Sequence, residues 1–209
     1  MAWWTGPTNF TFLPAVIQAA YDGRYFESII GMMAMVTSFT YHVCESYDSE
    51  FLGFNEGRWH HMDNVFAILA IMASLTGYIQ LPLRSQGREI LHTIMVSIVT
   101  CAQLMSPWNV MYTLVPILFA LVVTIVGVAL RWKRLSYNKQ ALRFAGLFLV
   151  GAVICFVKGL DENTDKFRRW HGGWHIFVGL STWFTIRAQG GNSVRVATLD
   201  HLDAADKEL

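Results

Sequence analysis

The sequence contains few charged residues and no excess of either sign. Of its 209 residues, 15% are Asp, Glu, Lys or Arg, and the formal net charge at pH 7 is +1. A soluble domain normally contains about 25% charged residues, so the composition argues against a soluble globular protein. The small net charge also argues against the strongly basic surface by which proteins attract nucleic acid. We therefore expect no nucleic-acid partner.

Cysteine is also scarce. The three cysteines, Cys44, Cys101 and Cys155, lie in or beside apolar segments and form no CxxC pair. Neither a disulfide scaffold nor a paired-cysteine metal site is expected, and we interpret the three thiols as reduced and packed. The chain also lacks a phosphate-binding glycine loop and a GxSxG motif, which argues against the common nucleotide-binding and serine-hydrolase classes.

Apolar segments, by contrast, make up most of the chain, since 54% of its residues are hydrophobic. A helix needs about 20 largely apolar residues to cross a bilayer. Seven candidate segments occupy residues 8–21, 25–44, 61–81, 90–106, 110–132, 141–157 and 170–186. We predict an all-α integral membrane bundle of seven transmembrane helices in residues 1–188, followed by a flexible cytosolic tail in residues 189–209. The alternative, a water-soluble helical bundle, is disfavoured by seven such segments in succession.

The positions of lysine and arginine predict the orientation of this bundle, because cytosolic loops are enriched in both. Seven spans place five of the sixteen basic residues on the N-terminal side, namely Arg58, Lys158, Lys166, Arg168 and Arg169. The other eleven fall on the opposite side. We therefore expect a multi-pass protein of the plasma membrane or a secretory-pathway membrane. Its N-terminus would be lumenal or extracellular and its C-terminus cytosolic.

Five polar residues interrupt the apolar segments in a regular way. Ser38 and His42 are four residues apart near the end of the second segment, and His171 and His175 have the same spacing at the start of the seventh. Residues four apart share one face of a helix. Asp63 lies at the start of the third segment. Since the second segment ends on the side where the third and seventh begin, we expect all five side chains at a similar depth.

Three histidines from two helices favour a zinc ion as cofactor. Neutral imidazole is a good zinc ligand, and three protein ligands with one water are typical of catalytic zinc, whereas structural zinc has four protein ligands. Zinc also lowers the pKa of a bound water to about 7. We predict that His42, His171 and His175 bind the metal. Asp63 would act as general base or orient the water, and Ser38 would donate a hydrogen bond to the developing oxyanion.

Each of these residues also has a purely structural interpretation. Histidines at a membrane interface are often hydrated, Ser38 can bond to its own helix backbone, and Asp63 can be stabilised by the dipole at a helix N-terminus. Polar residues at membrane depth are nevertheless costly and usually functional, so their convergence favours a metal site. His60 and His61 lie nearer the loop and are weaker candidates for ligands.

The motifs SFTYH and HGGWH, together with Asp63, resemble those of the CREST superfamily of seven-helix membrane proteins. That superfamily has SxxxH on its second core helix, Asp on the third and HxxxH on the seventh, which map onto the five residues named above. Its members include alkaline ceramidases, progestin and adiponectin receptors, GPI-remodelling proteins, and the transmembrane-protein-8 and myomaker group. The context FTYHVCES and the short chain are most similar to this last group.

The resemblance implies a zinc-dependent hydrolase that cleaves an amide or ester bond of a membrane lipid. The lipid would be both substrate and partner, and we expect its acyl chain to lie in an apolar cavity between the second, third and seventh helices. The alternative is a non-enzymatic, myomaker-like membrane-remodelling or fusion factor that binds lipid and zinc. A receptor function would also suit seven helices, but no residue of the sequence supports it.

Overall fold

The computed structural model describes residues 4–159, 165 and 167–190, and this part of the chain is all-helical, without a β-strand. Its α-helices are α1 (Thr5–Thr8), α2 (Leu13–Tyr21), α3 (Tyr25–Tyr47), α4 (Glu56–Thr76), α5 (Gln86–Met105), α6 (Val110–Arg131), α7 (Lys139–Gly159) and α8 (Arg169–Gln189). A 3-10 turn, Asn9–Phe12, joins α1 to α2. The described residues therefore form seven long helical segments, in the order of the seven apolar segments of the sequence.

Side-chain caps explain where three of these helices begin. The side chains of Asn55, Ser85 and Asn109 accept hydrogen bonds from backbone N–H groups in the first turns of α4, α5 and α6. Such caps satisfy donors that a helix leaves unpaired at its N-terminus. Because Asn55 precedes the apolar segment by several residues, α4 starts earlier than predicted. His60 and His61 consequently lie in the second turn of α4.

Three helical segments are long and apolar enough to cross a membrane, namely Glu56–Ile79, Val110–Arg134 and Lys139–Gly159. Most of the side chains on the second and third of these are not buried within the protein. Exposed apolar helix faces of this kind are expected where a helix meets lipid. The structure thus has the features of an all-helical membrane protein, and the prediction of seven spans is met for three helices.

The helices pack around α4 and α8. Leu69 and Met72 of α4 lie in a buried apolar cluster with residues of α3, α5 and α6, and Ile186 of α8 packs against Ala15 and Ala19 of α2. Helix α8 also packs along α7. This arrangement brings the end of α3 and the beginnings of α1, α4 and α8 to one end of the protein.

The cysteine and tail predictions have different outcomes. All three cysteines are free, and Cys44 and Cys155 are buried as expected. Cys101 is exposed on α5, so the prediction of a packed thiol is wrong there.

Helix α8 continues through Gln189, one residue past the predicted boundary between the bundle and the tail. The predicted flexible tail lies outside the described residues from residue 191 onward.

Candidate metal centre

The structure brings the three predicted histidine ligands together. His42 lies near the end of α3, and His171 and His175 occupy the first two turns of α8. One ring nitrogen from each of the three lies within 4.8 Å of the other two. His42 and His175 are buried, and His171 is half-buried. Among the described residues, this cluster contains three possible ligands for a metal ion and no fourth His, Cys, Asp or Glu.

The spacing of two of these nitrogens suits a shared cation. Nε2 of His42 lies 3.2 Å from Nε2 of His171. Two ligands of a tetrahedral zinc ion, each about 2.0–2.1 Å from the metal, lie about 3.3 Å apart. An N–H···N hydrogen bond between the rings fits the same distance, so the other contacts of each ring decide between the two.

Those contacts favour a metal at His42. Nδ1 of His42 lies 3.1 Å from Oε2 of Glu45. Because an ionised carboxylate only accepts hydrogen bonds, Nδ1 carries a proton, and in the neutral ring the lone pair of Nε2 faces His171. Metal-bound histidines usually donate their second N–H to a carboxylate or a carbonyl in this way. The residues present therefore fit a zinc ion.

Glu45 is itself held by two further groups. Its Oε1 accepts hydrogen bonds from the Tyr41 hydroxyl at 3.2 Å and from Nη2 of Arg168 at 3.0 Å. The guanidinium favours the ionised carboxylate, which in turn orients His42. Sequence analysis did not assign Glu45 to the site. Its position three residues after His42 is the signal that could have found it, because residues three apart are neighbours on a helix.

Asp165 fixes the start of α8 and hence the position of His171. Its two carboxylate oxygens accept the backbone N–H groups of Trp170 at 3.2 Å and of His171 at 3.1 Å. A carboxylate at a helix N-terminus pairs with unsatisfied donors and with the positive end of the helix dipole. Gly159 adds a close approach between α7 and α8, since a Cβ atom there would lie 3.0 Å from the backbone nitrogen of His171.

Ser38 and Asp63 form a separate pair beside the histidines. Ser38 is buried on α3, one turn before His42, and Asp63 is half-buried near the start of α4. The hydroxyl of Ser38 lies close to the Asp63 carboxylate. Asp63 does not belong to the group of possible metal ligands among the described residues. The five predicted residues thus occupy one end of the protein as a histidine cluster and an adjoining Ser–Asp pair.

His60 takes part in a ring stack next to the histidine cluster. Its imidazole stacks on Tyr41, with ring centroids 4.3 Å apart and planes within 9° of parallel. The Trp108 ring contacts His60 at an angle of 48°, with a centroid distance of 4.8 Å. The Tyr41 ring lies 4.5 Å from the ring of His42. His60 therefore helps to form a wall of the site, and neither it nor His61 belongs to the ligand cluster.

An apolar cavity lies between α3, α4, α8 and the N-terminal segment, which comprises residues 4–21. Its volume is small, about 40 Å³, and its walls include Ala15, Ala70 and Ile186. Arg24 and Glu27 form its polar end. Sequence analysis predicted a cavity between the second, third and seventh segments. The observed cavity adjoins all three, but none of the five predicted site residues lines it.

One family model matches the chain, over residues 1–176, and its description is "Protein of unknown function (DUF3522)". No curated protein matches the chain significantly. The matched region spans far more than half of the chain and contains all three histidines of the cluster as well as Ser38 and Asp63. With that coverage, the chain belongs to the DUF3522 family of proteins of unknown function.

Proposed function

We propose that this protein is a zinc-dependent intramembrane hydrolase that cleaves an amide or ester bond of a membrane lipid. The observation that carries the proposal is the convergence of three histidine nitrogens within 4.8 Å, with no fourth protein ligand among the described residues. Three ligands are typical of catalytic zinc and four of structural zinc. Zinc bound there would polarise a carbonyl and make a water acidic enough to ionise near neutral pH.

The Ser–Asp pair supplies the remaining groups that hydrolysis needs. The oxygen of water bonds to the lipid carbonyl carbon, and the carbon–nitrogen or carbon–oxygen bond then breaks. Asp63 accepts the proton of the attacking water and passes it to the leaving amine or alcohol. The hydroxyl of Ser38, which lies beside the Asp63 carboxylate, donates a hydrogen bond to the carbonyl oxygen as negative charge develops on it.

We further propose that all seven helical segments cross the membrane, with the histidine cluster near the lumenal or extracellular surface. Helices α3, α5 and α8 contain 23, 20 and 21 residues, and a helix of about 20 residues spans the apolar core of a bilayer. Helices α3 and α8 are more polar in part because they contribute the three histidines of the cluster.

Engineered glycosylation sites test this topology. A site placed in residues 48–54 is expected to be occupied, and a site placed in residues 135–138, beside several basic residues, is expected to remain empty. Occupancy in the second position, or in neither, would contradict the proposed orientation. Proteolysis of tags at both termini provides the control, because an odd number of spans exposes the two ends on opposite sides.

One observation favours the alternative, a myomaker-like remodelling factor in which zinc and lipid support the structure. The apolar cavity is lined by none of the predicted site residues, as would suit a lipid held for packing. The two functions differ in turnover, so a catalytic assay separates them.

The assay measures fatty acid released by the purified protein from ceramides, glycerophospholipids and GPI lipids. The parent is expected to hydrolyse at least one class. Asp63→Asn should keep its zinc and lose about 10²–10⁴-fold in turnover, because the amide cannot act as general base. Glu56→Gln, an exposed acid-to-amide change on the same helix, should behave like the parent. If the parent releases no fatty acid from any lipid, the remodelling function replaces the hydrolase.

A further inference from the structure

The N-terminal helical segment holds α8 at the position of His175. The indole N–H of Trp4 donates a hydrogen bond to the backbone carbonyl of Phe167 at 2.9 Å. Eight residues further along the chain, within α8, the hydroxyl of Thr11 donates to the backbone carbonyl of His175, also at 2.9 Å. At Gly179 a Cβ atom would lie only 2.6 Å from Thr11 Oγ1. The first segment therefore packs against the backbone of α8 on both sides of this histidine.

The same segment surrounds one nitrogen of the imidazole. Nδ1 of His175 lies 3.1 Å from Oγ1 of Thr8 and 3.4 Å from the backbone carbonyl oxygen of Thr5. The Thr8 hydroxyl also lies 2.6 Å from that carbonyl oxygen, to which it donates its hydrogen. A carbonyl cannot donate, and the single hydrogen of Thr8 points to the Thr5 carbonyl oxygen, which at 2.6 Å is nearer to the hydroxyl than Nδ1 is at 3.1 Å. Both oxygens therefore act as acceptors toward Nδ1.

A protonated Nδ1 satisfies this arrangement, and an unprotonated Nδ1 does not. In the other neutral tautomer, either a nitrogen lone pair faces two oxygen lone pairs, or Thr8 turns its hydrogen to Nδ1 and loses its shorter bond to the Thr5 carbonyl. Either choice leaves a polar group unpaired in a buried site, which is costly. In a metal-bound histidine, the hydrogen bond of the ring nitrogen that does not bind the metal normally selects the tautomer in this way. Glu45 does so for His42 from within α3, whereas the partners of His175 lie on a different segment.

We infer that Thr8 is a positioning residue of the histidine cluster. Together with the Thr5 carbonyl, it holds His175 as the Nδ1–H tautomer and leaves the lone pair of Nε2 free for a cation shared with His42 and His171. The identity of that cation rests on the proposed function. The tautomer is a property of the metal-free protein and stands independently of it.

The first test is zinc affinity of the purified full chain, measured by competition with a chelator. Thr8→Val keeps the shape of the side chain and removes the hydroxyl, and it should weaken zinc binding about 10–100-fold, as loss of a ligand's second contact typically does. Thr8→Ser should bind like the parent. The matched control is Thr124→Val on α6, which removes a hydroxyl that is equally buried and bonded only to its own helix. Unchanged affinity in Thr8→Val would overturn the inference.

The second test is nitrogen-15 NMR of metal-free protein labelled at histidine. His175 of the parent is expected to show the Nδ1–H tautomer, and Thr8→Val should increase the Nε2–H fraction. A parent spectrum dominated by Nε2–H would overturn the inference even if Thr8→Val does not fold. A parent that binds no zinc but shows the Nδ1–H tautomer would refute the proposed metal function and leave the role of Thr8 intact.

Discussion

Two polar clusters lie near opposite ends of α3, and they differ in how the charges of their side chains are balanced. Near Tyr25, Oε1 of Glu27 lies 3.1 Å from Nη2 of Arg24 and 2.6 Å from Nη2 of Arg88. Near Tyr47, the cluster consists of three imidazoles. In the first cluster, opposite charges are in direct contact. In the second, like groups converge and the proposed zinc ion would stabilise them, which is why we assign a structural role to the first cluster and propose a functional role for the second.

The largest expected effect is the loss of metal from His171→Ala. The parent should contain about one zinc ion per chain and this variant close to none, because two remaining ligands hold zinc poorly. His92→Ala is the control from the other region, where His92 stacks on Phe26 with ring centroids 3.8 Å apart. It should keep the zinc content of the parent. Elemental analysis of purified protein decides, and equal zinc in His171→Ala and the parent would remove the contrast between the clusters.

A second experiment breaks the ionic cluster. Glu27→Gln leaves the guanidiniums of the buried Arg24 and the half-buried Arg88 without their counter-charge, and breaking a buried pair typically costs about 3–5 kcal/mol in the free energy of unfolding. Zinc content should not change. Glu89→Gln, at an exposed position on α5, is the control and should unfold like the parent. A denaturant titration followed by circular dichroism measures the difference, and an unaltered stability of Glu27→Gln would contradict the structural role.

The smallest effect is expected from Glu45→Gln, which replaces the carboxylate that accepts from Nδ1 of His42. An amide can present either an acceptor or a donor to the ring, so the tautomer of His42 is less well defined. Zinc affinity should fall about 10–100-fold, which chelator competition can measure. Glu50→Gln, an exposed change in the following loop, should leave the affinity unaltered. Weaker zinc binding in Glu27→Gln than in Glu45→Gln would reverse the roles of the two clusters.

The accuracy of the sequence predictions depended on how local each feature is. The HxxxH spacing correctly placed His171 and His175 on one face of α8, since that depends only on the helical repeat. The start of α4 was predicted too late, because Asn55 caps the helix before its apolar segment begins. The partnership of Thr8 with His175 joins residues 167 positions apart, and no local pattern of the sequence predicts it.

By itself, the sequence determined the helical architecture, the three strongly apolar helices and the histidines that share a helix face, because these follow from hydropathy and from the 3.6-residue period. Only the tertiary structure decided which imidazole nitrogens have hydrogen-bond partners, that Asp63 lies close to Ser38 and outside the histidine cluster, and that the N-terminal segment contacts His175. Such contacts depend on how closely helices approach one another. At Gly172 and Gly179, where a Cβ atom would collide with Trp4 and Thr11, the absence of a side chain permits that approach.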